Sequence, residues 1–256
     1  MNEWAPLDSV PPETAALPAA ESQPEEKYPF WDYADAGMLL VLIIPCLIVA
    51  FLIVRTVTVA AGWRPPLEVM ALLPAQFLFY GLWFLSLYGL LKLRYGRPFW
   101  KSLAWTRSAV TAPRAATIGL LAAVGTLGLG LLLHAPPVDS MPIKELLRDR
   151  VSVILVSVFA VTLGPLCEEL AFRGFLLPLL VRSLGVLPGL VATAIPFSVL
   201  HGPQYSWAWQ HLLIISLVGV AFGWMRLWSG STLATAVMHA SYNLFFTVLL
   251  LLGKTS

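Results

Sequence analysis

Residues 151–180 read VSVILVSVFAVTLGPLCEELAFRGFLLPLL. The charged side chains in this run are Glu168, Glu169 and Arg173, and they fall within six consecutive positions. About 20 apolar residues suffice for a helix to cross roughly 30 Å of hydrocarbon, and this stretch exceeds that. It therefore reads as a membrane-spanning helix with a knot of charge inside it. Ionisable groups in such a setting are costly and mark functional positions.

The rest of the chain agrees with that reading. Its 256 residues are 58% hydrophobic and 12% charged, with a mean hydropathy of +0.79. An average soluble domain is roughly 25% charged. Apolar windows of helical span length recur near 36–54, 69–91, 115–133, 151–180, 184–201, 207–226 and 231–252. An alternating β-barrel pattern is absent, so the fold class is all-α: a polytopic transmembrane helical bundle of about seven spans. The protein is expected to be an integral, multi-pass membrane protein, in the plasma membrane if the source is prokaryotic. Lipid is one expected partner, and no nucleic-acid partner is expected.

Three segments follow. Residues 1–33 form an acidic, Pro-rich tail with no basic n-region and no short apolar core; it reads as disordered and not as a signal peptide. Phe30, Trp31 and Tyr33 at its end read as an interfacial aromatic belt. Residues 34–144 hold the N-terminal spans and a linker, 92–114, that carries Lys92, Arg94, Arg97, Lys101, Arg107 and Arg114. By the positive-inside rule this linker is cytoplasmic, and the N-terminus with it. Arg182 and Arg226 fall on the same side, whereas Arg55, Arg64, Lys144, Arg148 and Arg150 fall on the other. Residues 145–252 form a four-helix C-terminal core that carries the ionisable residues lying within spans. The first three spans look passive, with polar residues such as Gln76 but no carboxylate or histidine at their centres. Cys46 and Cys167 lie far apart inside apolar spans and read as inert thiols.

Within the core, polar groups recur four residues apart, the spacing of one helix face. Glu169 precedes Arg173 in the order that favours an ion pair. Glu168 points about 100° away from Glu169 and keeps no local partner. Phe197 and His201 share a face at the end of the fifth span, and His239 and Asn243 share one inside the seventh. A structural charge cluster or a helix–helix hydrogen bond would account for any one of these pairs. A carboxylate, two imidazoles and a carboxamide on three separate spans are instead what would converge inside a bundle. His134, in a Pro-rich loop, and His211, beside Trp207 and Trp209, have no partner at helical spacing and read as interfacial.

Glu168-Glu169-x-x-x-Arg173, Phe197-x-x-x-His201 and His239-x-x-x-Asn243 resemble, in order and spacing, the three motifs of the CPBP intramembrane protease family. That family includes the type II CAAX prenyl endopeptidases and the self-immunity group also called ABI. The resemblance covers about residues 145–250. It implies an intramembrane endopeptidase acting on a membrane-associated peptide or protein, of which prenylated CAAX chains are the eukaryotic example. It also assigns roles. Glu168 activates water; His201 and His239 hold that water or a metal that binds it; Asn243 orients the water or donates to the oxyanion. Glu169 and Arg173 position the site, and Phe197 walls it.

Two matters stay open at this level. A zinc ion would take His201 and His239, with Glu168 or Asn243 as a third donor, yet catalytic zinc usually has three His, Cys, Asp or Glu ligands. A metal-free route through Glu168 and the histidines fits the residues nearly as well. The alternative function is a non-proteolytic scaffold, or a bacteriocin self-immunity protein of the same fold. A transporter is disfavoured because repeated halves are absent. Counting depth along the spans puts Glu168 and His239 toward one face and His201 toward the opposite one. A later start of the fifth span, after Leu184–Gly189, or a tilt would narrow that gap.

Overall fold

The computed structural model describes residues 28–62, 72–137, 144, 147 and 150–253. The acidic tail up to residue 27, Arg64, Arg148 and the last three residues lie outside the described part. Among the described residues, six helices are long and apolar enough to cross a membrane: Tyr33–Ala60, Pro74–Arg94, Ala112–Leu132, Arg150–Leu184, Trp209–Ser229 and Thr232–Leu252. A shorter apolar helix, Val186–Leu200, lies between the fourth and fifth of these. The chain is a polytopic α-helical bundle and an integral, multi-pass membrane protein. The seven expected spans are recovered as six long helices and one short one.

In chain order the helices are α1 (Tyr33–Val41), α2 (Ile43–Ala60), α3 (Leu72–Gly89), α4 (Phe99–Ser102), α5 (Ala112–Leu132), α6 (Arg150–Val161), α7 (Leu163–Glu169), α8 (Leu177–Leu184), α9 (Val186–Leu200), α10 (Trp209–Ser229) and α11 (Thr232–Gly253). Two π-helical segments adjoin them, Leu90–Arg94 after α3 and Leu170–Leu176 between α7 and α8. The ends follow local chemistry. Asp32 caps α1 and forms a reciprocal capping box with Asp35, satisfying amide donors that a helix start leaves free. Pro113 occupies the first turn of α5, where no amide donor is needed. Exposed Ile44, Leu52, Val151, Ile154 and Leu249 face outward, as lipid requires.

The quoted stretch is one long helix, Arg150–Leu184, with two interruptions. Thr162 leaves helical geometry at φ −122° and ψ −83°. Pro165 then lacks the N–H that would have bonded to the Val161 carbonyl. After Glu169 the π-helical segment carries Arg173; such bulges recur at functional sites.

At 35 residues this helix is about 50 Å long, longer than the hydrocarbon is thick. It ends at Gly185, whose φ of +86° suits a glycine, and the chain doubles straight back as α9. A Cβ on Gly189 would lie 2.9 Å from the Val181 backbone, so α8 and α9 approach closely there. Residues equidistant from Gly185 face one another: Val181 meets Gly189, and the Arg173 guanidinium lies 4.4 Å from the Phe197 ring centroid. Glu169 and His201 are both sixteen residues from Gly185. The hairpin therefore brings His201 level with Glu169, and the depth count from sequence is corrected. Its error was to take the start of the fifth span as a membrane face, when that point is the tip of a protruding hairpin.

A second correction concerns the aromatic belt. Tyr33 is exposed, but Trp31 is fully buried. It stacks on Phe175 with centroids 5.0 Å apart and donates from Nε1 to the Phe175 carbonyl at 3.1 Å. Arg182 donates to the carbonyls of Pro29 and Trp31, and Tyr28 donates to the Ser102 carbonyl. Burial raises the Tyr28 hydroxyl above its ordinary pKa, against the pull of Arg226, so it stays a donor. Residues 28–31 thus strap one end of the bundle, across the π-helical segment and α8. Asp35, fully buried, pairs with Arg94 at 2.7 Å and accepts from Tyr95.

Candidate active site

Glu169 lies at the centre of the expected constellation. Its Oε1 accepts from Arg173 Nη1 at 2.9 Å and lies 2.8 Å from His239 Nδ1. Glu169 and Arg173 are fully buried. Arg173 also donates from Nη2 to the Gly219 carbonyl at 3.0 Å, which ties the charged helix to α10. Phe197 and Phe222 lie over the guanidinium, with centroids 4.4 and 5.3 Å away. Charge in an apolar bundle is thereby neutralised by an ion pair and enclosed by aromatic faces.

Because Glu169 is an acceptor already engaged by Arg173, the His239 Nδ1 carries the proton of their shared bond. In the neutral ring the opposite nitrogen, Nε2, is then a lone pair, and it lies 3.9 Å from Glu168 Oε2. That distance is too long for a hydrogen bond and suits a single bridging atom. The side chain of Glu168 is 17% exposed, against 0% for Glu169. The two neighbours therefore differ as their helical angles require: Glu169 is sealed into the core, and Glu168 opens onto a gap.

His201 sits at the end of α9 with Nδ1 2.8 Å from the Phe197 carbonyl. A carbonyl only accepts, so this nitrogen is the protonated one and Nε2 is free. The Phe197 ring lies 4.9 Å from the His201 ring and 6.0 Å from that of His239. The two imidazole centroids are therefore at most the sum of those distances apart, about 11 Å. Asn243 donates from Nδ2 to the Ala160 carbonyl at 2.7 Å, beside the break before α7. One of its two amide hydrogens is thus committed to the backbone and the other remains free.

The structure adds one residue that the sequence reading left out. Tyr80 on α3 donates to Glu168 Oε1 at 2.8 Å. The N-terminal spans are not passive, and Glu168 does have a partner, though one 88 residues away. Gln76 and Tyr80 stand four apart, the spacing that marks the other motifs. Among Phe77, Phe79, Trp83 and Phe84, however, a tyrosine does not stand out. His211 bonds to the Pro136 carbonyl at 2.9 Å and stacks on Tyr205, fastening the start of α10 to the preceding loop.

Among the described residues, no three His, Cys, Asp or Glu side chains converge as metal donors. Glu168 Oε2 and His239 Nε2 lie 3.9 Å apart, and His201 packs against the same Phe197 ring that flanks His239. Cys46 and Cys167 are free thiols, as expected.

Residues 150–245 match the family model described as type II CAAX prenyl endopeptidase Rce1-like. That segment is similar to the Rce1-like CAAX protease family. The seven motif residues, Glu168, Glu169, Arg173, Phe197, His201, His239 and Asn243, all lie within the Rce1-like segment, and Tyr80 lies outside it. No curated protein and no solved structure matches the chain.

Proposed function

We propose that this protein is an intramembrane endopeptidase that hydrolyses a peptide bond in a membrane-associated substrate of the CAAX type. The observation that carries the reading is the gap between Glu168 Oε2 and His239 Nε2, 3.9 Å wide and set among buried charge. The family-model match over residues 150–245 supports the reaction class.

Peptide hydrolysis needs a nucleophilic water, stabilisation of an oxyanion and a proton for the leaving amine. A water between Glu168 and His239 gives one proton to Glu168 Oε2 and is oriented by the Nε2 lone pair. Its oxygen bonds to the scissile carbonyl carbon. The free amide hydrogen of Asn243 is the donor available to the oxyanion. As the carbon–nitrogen bond breaks, Glu168 returns its proton to the departing amine. Glu169 and Arg173 hold His239 in the tautomer this requires, in the way that a carboxylate commonly fixes an imidazole.

The test is a comparison of peptide termini in membranes of cells with and without the chain. The reading expects at least one membrane-associated peptide to be longer when the protein is missing. Identical termini in the two membranes would refute it.

A further inference from the structure

The geometry points to Tyr80 as a positioning residue for Glu168, a second-span contribution to a site whose other members lie in the C-terminal core. The inference rests on the protease reading and extends it to a residue outside the family-matched segment.

A glutamate has two equivalent oxygens and a broad terminal torsion, so nothing intrinsic decides which oxygen faces a water. Here they are distinguished. Oε1 accepts from the Tyr80 hydroxyl at 2.8 Å, and Oε2 faces His239 Nε2 at 3.9 Å. The hydroxyl itself is held: the Tyr80 ring packs edge-on against Phe159 at 4.9 Å and Phe79 at 5.5 Å, and Gln76, one turn earlier, interacts with its oxygen. Phe159 stands just before the Thr162 break, so the same helix contributes both the ring that fixes Tyr80 and the carboxylate that Tyr80 fixes. With Oε1 anchored, the carboxylate cannot rotate away from the water without losing a hydrogen bond in an apolar surround. Tyr80 touches neither the water nor the scissile bond, and it acts through Glu168.

The experiment is steady-state cleavage of a farnesylated CAAX peptide by the full chain in lipid nanodiscs, comparing wild type with Tyr80→Phe, Glu168→Gln and Tyr88→Phe. Tyr80→Phe removes only the hydroxyl. It is expected to lower kcat about tenfold or more, with KM and melting temperature near wild type. Added to Glu168→Gln, it should cause no further loss. Tyr88, on the same helix but with its ring packed on Phe99 and half exposed, should tolerate loss of its hydroxyl with no change. If wild type and Glu168→Gln behave alike, the protease reading fails and the role of Tyr80 falls with it. If those two differ while Tyr80→Phe keeps wild-type kcat, or loses kcat only in step with melting temperature, the positioning role alone is overturned.

Discussion

His239 Nδ1 lies 2.8 Å from Glu169 Oε1, and its Nε2 lies 3.9 Å from Glu168 Oε2. One imidazole from the last helix therefore meets two adjacent carboxylates of another. Consecutive helical residues diverge by about 100°, and the two ring nitrogens span that divergence. The contact with Glu169 is closed, and the contact with Glu168 leaves space. This asymmetry separates a sealed carboxylate from a partly exposed one.

Glu169→Gln should destabilise the protein. It strips the buried Arg173 guanidinium of its counter-charge, and breaking such a pair costs roughly 3–5 kcal/mol. Thermal unfolding in detergent should show the loss, and adding Arg173→Met should recover part of it. Activity falls in both variants, because His239 loses the carboxylate charge that holds its tautomer.

Gly189→Val should separate packing from chemistry in another way. Its Cβ would lie 2.9 Å from the Val181 backbone, so α9 must shift against α8. The displacement is carried along the hairpin to Phe197 and His201. Cleavage should drop by about tenfold or more, since small misplacements of catalytic groups are expensive. Leu187→Ala, at the exposed tip of the same hairpin, should leave cleavage unchanged.

Membrane orientation follows from one end of the bundle. The strap residue Tyr28 reaches Ser102 and Arg226, and Arg182 reaches Pro29. These basic positions and the 92–114 linker therefore share a side, which the positive-inside rule makes cytoplasmic. In a background lacking Cys46 and Cys167, cysteines at Lys101 and Leu187 should resist an impermeant reagent in intact cells. Both should react once the cells are opened. Labelling from outside would reverse the orientation.

Much of this was legible in the sequence. Spans of about 20 apolar residues announce themselves by length, and Glu169–Arg173, Phe197–His201 and His239–Asn243 by helical spacing. What escaped were relations that spacing does not encode. Tyr80 reaches Glu168 across 88 residues, and an aromatic residue among aromatics gives no polar signal. Trp31 reads as interfacial because it precedes a span, yet its indole N–H finds a backbone acceptor inside the bundle. The level of His201 depends on where a hairpin turns relative to the membrane, and composition alone leaves that turn undefined.

Activation of water by Glu168 is tested most directly by cleavage of a farnesylated CAAX peptide by purified Glu168→Gln. The substitution keeps the side chain's shape and an oxygen for Tyr80 to bond, and removes the proton acceptor. The account predicts a loss of at least about 10²-fold in kcat, with a melting temperature near that of wild type. Glu168→Gln cleaving at the wild-type rate would contradict it, and would make both carboxylates structural.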